Sequence, residues 1–88
     1  MKDILMMMMA DCPYCRQADE MIAELTAKHP EYAKLNIKRV DEKLEPDFAD
    51  TLDYYYVPCF FVGDEKLMEG VPSMEKVKAV LDAASGNN

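Results

Sequence analysis

Apolar and polar positions alternate with two different periods along this chain. Asp3-Ile4-Leu5-Met6-Met7-Met8-Met9 holds an unbroken apolar run, too short to cross a bilayer and without helical spacing, which predicts a buried central strand. Beyond it, Ala18, Met21, Ile22 and Leu25 fall at i, i+3, i+4 and i+7, so a helix is expected from about Pro13 to Lys28. Pro13 suits its first position, and His29-Pro30 ends it because the residue before a proline is biased away from helical dihedrals. Leu35 to Val40 alternates with period two and predicts a second strand, after which Glu45-Pro46-Asp47 opens a short helix through about Leu52. Cys59-Phe60-Phe61-Val62 is an aromatic and β-branched strand, Gly63-Asp64 a hairpin turn, and Lys66-Leu67-Met68 the returning strand. Pro72-Ser73 starts a last helix with Met74, Val77, Val80, Leu81 and Ala84 as its apolar stripe, and residues 85–88 are expected to fray.

The order βαβαββα defines an α/β class. Two connections run through helices and are expected to pair strands in parallel, whereas the hairpin pairs antiparallel. The expected product is a four-stranded mixed sheet with helices on both faces, in one domain spanning residues 1–88. The Met run supplies core rather than a copper site, because neighbours along a strand point to opposite faces and do not converge on one ion.

Charge narrows the partners. With 17 Asp+Glu against 10 Lys+Arg in 88 residues the formal net charge is −7, and no basic cluster exists to hold nucleic acid or an anionic membrane. A monomer is expected. Lys2, the run Ile4 to Ala10, and Cys12 imitate a secretory leader with a lipid attachment site, but Asp3 and Asp11 spoil both patterns. Three cysteines cannot all pair within one chain, so the expected setting is the reducing cytoplasm, where a close cysteine pair is catalytic or metal-binding more often than structural.

That pair is Cys12-Pro13-Tyr14-Cys15, which follows a buried strand and opens a helix. The first amides of a helix lack internal acceptors and carry the positive end of its dipole, so the anionic form of Cys12 is favoured as a nucleophile. Cys15 lies one turn on and faces the same side, within reach of a disulfide. Cys12 then attacks a substrate disulfide and Cys15 resolves the mixed disulfide. Asp11 opposes a second negative charge beside Cys12, and Arg16 either offsets Asp11 or meets a substrate carboxylate. The ring of Tyr14 is expected to border the reactive sulfur. Cys59 is either a third, regulatory thiol or a small core residue.

A zinc or iron-sulfur module using Cys12, Cys15 and Cys59 is the competing reading. His29 fails as a fourth ligand, because a helix rising ~1.5 Å per residue carries it more than ~20 Å from the pair.

These residues resemble a glutaredoxin. Cys-Pro-Tyr-Cys after the first strand, Val57-Pro58 before the third and Gly70 before the last helix stand in that family's order over about residues 2 to 84. The resemblance implies a thioredoxin-like, glutaredoxin-type fold, a redox-active disulfide in electron transfer and cell redox homeostasis, and disulfide-containing protein substrates. It also implies a cis Val57-Pro58 bond that leaves the Val57 backbone facing an extended substrate. Such proteins bind no resident cofactor and are recharged by glutathione, whose γ-glutamyl carboxylate sits at the N-terminus of the last helix. Here Gly70 and Ser73 match that stretch, whereas Glu69 replaces a glycine, Pro72 lacks an N–H, and Met9 stands in place of the family's lysine. A flavin-dependent reductase serving a dedicated electron donor is therefore the alternative source of electrons.

Overall fold

The computed structural model describes residues 1–86. Strand β1 (Ile4–Met8) leads to helix α1 (Pro13–Lys28), and a 3-10 turn (Pro30–Lys34) precedes β2 (Ile37–Asp41). The short α2 (Pro46–Ala49) then leads to the hairpin β3 (Cys59–Val62) and β4 (Glu65–Glu69), followed by α3 (Met74–Ser85).

The four strands form one mixed sheet in the order β2-β1-β3-β4. Strand β1 pairs parallel with β2, as a helical crossover requires, and antiparallel with β3. The second crossover thus departs from the expected parallel pairing. Its helix α2 has only four residues, and most of the connection from Asp41 to Cys59 is loop rather than a helix running back along the sheet. The chain enters β3 from the end of the sheet at which it left β2, on the far side of β1.

Strand alternation sends successive side chains into two cores. Ile4, Met6, Phe60 and Val62 pack with Ala18, Ile22 and Leu25 of α1 and Val77, Val80, Leu81 and Ala84 of α3. Met7, Val40, Cys59 and Phe61 pack on the opposite face beneath Ala49, Leu52 and Tyr54. Met6 and Met7 are wholly buried, one in each core, so the Met run is core as its apolar continuity required.

Several boundaries differ from the sequence pattern. Helix α2 stops at Ala49 rather than Leu52, and Leu35 lies outside β2 because the 3-10 turn occupies Pro30–Lys34. That turn buries Tyr32, whose hydroxyl donates to Asp82 of α3, itself paired with Lys78 at 2.9 Å. Ser85, expected in a frayed end, is the last helical residue, and Gly86 caps α3 with φ 87°, a left-handed conformation that only glycine adopts freely. Asn87 and Asn88 of that end lie outside the described residues.

Candidate active site

Cys12 occupies the position before the first turn of α1 with extended backbone dihedrals, and Pro13 stands at the first helical position, where its missing N–H costs nothing. The Cys12 sulfur does what a serine or aspartate cap ordinarily does: the Cys15 N–H donates to it at 3.1 Å. No acidic residue lies in the first turn of α1 to oppose a negative sulfur from within the helix. One of the free amides at the start of α1 thus meets one specific sulfur.

Cys15 sits deeper, with 2% of its surface exposed against 6% for Cys12. Burial, a hydrogen bond to the Cys12 side chain and the negative charges of Cys12 and Asp19 push the Cys15 thiol up to about 12, against a weaker opposing contact with the Met9 backbone. The two members are therefore unequal. Cys15 keeps its proton at neutral pH, and Cys12 holds the outer position.

Val57–Pro58 is a cis peptide bond, and Pro58 is fully buried. The Val57 carbonyl lies 3.9 Å from the Cys12 sulfur, while the Pro58 carbonyl accepts the Gly70 N–H at 2.9 Å. Among the described residues the Val57 N–H has no acceptor. Tyr14, Tyr56, Val57, Gly70 and Val71 line an apolar groove of about 300 Å³. Tyr14 is half exposed along it and Gly70 has φ 88°. A β-carbon on Gly70 would meet the Tyr56 β-carbon at 4.0 Å, an ordinary contact, so the positive φ rather than lack of space favours glycine there.

Other candidates take different places. Ser73 caps α3, accepting the Lys76 N–H at 3.1 Å, and does not line the groove. Arg16 is exposed and makes no ion pair among the described residues; the partner of Asp11 is instead Lys43, at 3.3 Å. Both members of that pair are mostly exposed, so it neutralises Asp11 without adding much stability. Asp41 steadies the same loop, accepting the N–H groups of Ala10 at 3.2 Å and Lys43 at 2.8 Å.

Cys59 has no exposed surface and belongs to the core on the other face of the sheet from Cys12 and Cys15. Burial, reinforced by the Glu69 charge, pushes its thiol up to about 12. The three sulfurs are not gathered, so the Cys12, Cys15 and Cys59 metal set is not assembled, and a third-thiol role for Cys59 loses its geometric basis. His29 closes the far end of the 16-residue α1.

Glu69, the residue standing where the family has a glycine, is fully engaged. Its carboxylate does not stand free to repel an anionic ligand: Oε1 meets Lys66 Nζ at 2.9 Å, and Oε2 accepts the N–H groups of Tyr55 and of Tyr56, the latter at 2.9 Å. Those amides and Lys66 hold its carboxyl down to about 2. The Tyr54 to Tyr56 run splits accordingly. Tyr56 lines the groove, Tyr55 is exposed, and Tyr54 turns away to bond Glu42 at 2.6 Å and meet the Phe61 ring edge-on. Sequence reasoning missed Val71 of the groove, the pairing of Lys43 with Asp11, and the hold of Glu69 on the Tyr55 and Tyr56 amides. Lys43 and Glu69 act through a turn and a bulge whose partners are distant in sequence, whereas Val71 adjoins Gly70 and was discoverable as an apolar neighbour.

No family model matches the sequence, and no curated protein matches it. The structure is similar to the crystal structure of a protein disulfide oxidoreductase from Aeropyrum pernix k1, with a TM-score of 0.66 and 24% identity over 96% of this chain. The chain spans 38% of that protein's length. The likeness establishes a thioredoxin-like fold: a mixed four-stranded sheet with helices on both faces.

Proposed function

We propose that this chain is a glutaredoxin-like thiol-disulfide oxidoreductase that reduces polypeptide disulfides through Cys12 and Cys15. The observation that carries the reading is the pairing of unequal thiols at one helix start. The Cys15 amide caps the outer sulfur at 3.1 Å, and the inner thiol, 2% exposed, is kept protonated by burial. The solved structure similar to it is described as a protein disulfide oxidoreductase, which agrees with this chemistry.

In the forward step the Cys12 thiolate attacks one sulfur of the substrate. A Cys12–substrate S–S bond forms, the substrate's own S–S bond breaks, and the departing sulfur takes up a proton. Cys15 then gives up its proton and attacks Cys12, closing the Cys12–Cys15 bond and releasing the second substrate thiol. The substrate gains two electrons and two protons, and the protein pair is oxidised by the same two electrons. An external thiol reductant resets it.

The groove favours a polypeptide over glutathione. None of its five lining residues is cationic, and Lys43, Lys66 and Lys76 already face Asp11, Glu69 and the Val71 carbonyl. Two carboxylates of glutathione would lose water there without gaining ion pairs. An extended backbone can instead meet the free Val57 N–H, with an apolar side chain in the groove. Recharging by a flavin-dependent reductase of the cytoplasm fits this better than recharging by glutathione.

Turnover of a disulfide-bridged peptide tests the reading, with glutathione and a flavin-dependent dithiol reductase compared as electron sources. Cys12→Ser should abolish turnover, and Cys15→Ser should stop it at the mixed disulfide. Parent-like turnover by Cys12→Ser would remove the assignment.

A further inference from the structure

Glu69 joins the two lips of the apolar groove. Its backbone continues directly into Gly70 and Val71, which line one side, while its carboxylate accepts the N–H groups of Tyr55 and Tyr56, which carry the other. Its partner Lys66 also donates to the Asp53 carbonyl at 3.3 Å, so the ion pair grips the 53–56 segment at both ends. Little else does. Tyr55 and Tyr56 are 81% and 70% exposed, and the segment before Val57 contains no helix or strand. Tyr56 therefore owes its place to hydrogen bonds rather than to packing, and those bonds converge on a single carboxylate.

We infer that Glu69 is a positioning residue that holds the Tyr56 wall at the width of a large apolar side chain, so that the groove selects polypeptide disulfides carrying such a residue beside the half-cystine. The inference rests on the proposed function and deepens it. Glu69 touches neither sulfur nor substrate and acts through the backbone of Tyr55 and Tyr56. The oxygen that does the work is Oε2, because it receives both amides, whereas Oε1 serves Lys66. A glutamine can keep an amide acceptor at the first position while losing the charge at the second, so Glu69→Gln should behave differently from Glu69→Ala.

The test uses two disulfide peptides that differ only in carrying Phe or Ala beside the half-cystine, together with hydroxyethyl disulfide, which is too small to fill the groove. Glu69→Ala should raise KM for the Phe peptide about fivefold with kcat changed far less, and should erase the preference for Phe over Ala. Glu69→Gln should restore most of that preference. Equal losses on all three substrates, or an unchanged KM, would overturn the inference. Amide exchange gives an independent readout: Tyr55 and Tyr56 N–H groups should exchange at least about tenfold faster in Glu69→Ala, with β1 amides unaffected. Unchanged exchange there also overturns it. A parent protein inert toward every disulfide would instead overturn the proposed function, and the exchange measurement would still decide the role of Glu69.

Discussion

Lys66 and Glu69 form an ion pair of 2.9 Å although they lie three residues apart on one strand, a spacing that ordinarily sends side chains to opposite faces. The pairing register explains it. Phe61 opposes Lys66 and Phe60 opposes Met68, so Leu67 is an extra residue bulged out of β4. The bulge changes the parity of the strand and puts Lys66 and Glu69 on one face, opposite Phe61 and Cys59. From there the carboxylate reaches the amides of Tyr55 and Tyr56, which an unbulged strand would deny it.

This contact makes stability depend on pH with a definite sign. Glu69 is held down to about 2 in the folded protein, below its ordinary value, so its contribution is present above the unfolded glutamate value and lost as pH falls toward 2. Between pH ~5 and ~2 the parent should lose about 1 kcal/mol more unfolding free energy than Glu69→Gln, a figure discounted for partial exposure. Urea unfolding of both proteins across that range checks it, and parallel curves would show that the contact adds nothing.

The thiols should label in a fixed order. Burial keeps Cys15 and Cys59 protonated, each pushed up to about 12, so an alkylating agent at neutral pH should mark Cys12 first. Labelling of the other two should accelerate only as the solution becomes strongly alkaline or the protein unfolds. Peptide mapping of the alkylated protein reads the order directly, and early labelling of Cys59 would contradict its placement.

Cys59→Ser should separate stability from catalysis. The substitution puts a hydroxyl among Met7, Val40 and Phe61 at a site with no exposed surface, at a cost of about 1–3 kcal/mol. Turnover per folded molecule should stay at the parent level. A folded Cys59→Ser protein with impaired turnover would return Cys59 to the chemistry.

Tyr32→Phe tests the tie between the 3-10 turn and α3. Loss of its hydroxyl leaves Asp82 with Lys78 alone and should cost about 1–2 kcal/mol in urea unfolding, with the activity of folded protein unchanged.

What the sequence carried well was local. The helix starting at Pro13, the Gly63-Asp64 turn and the Ser73 cap follow from residues within a few positions of one another, and each stands where the pattern put it. The Cys12 and Cys15 arrangement was legible for the same reason, since one helical turn fixes both positions. The antiparallel entry of β3, the burial of Tyr32 and the inward grip of Glu69 were not. Each depends on a partner distant in sequence or on a one-residue bulge, and residue types alone carry no record of either. Asp11 shows the same limit: its neighbour Arg16 looked like its counter-ion, yet Lys43, 32 positions away, is the one that meets it.

The most direct test of the account is to trap the exchange half-way. Cys15→Ser protein, incubated with a bridged peptide and analysed by intact-mass and peptide mapping, should accumulate one peptide adduct per chain, joined through Cys12 and released by dithiothreitol. An adduct on Cys59, or none while the parent still reduces the peptide, would contradict attack by Cys12.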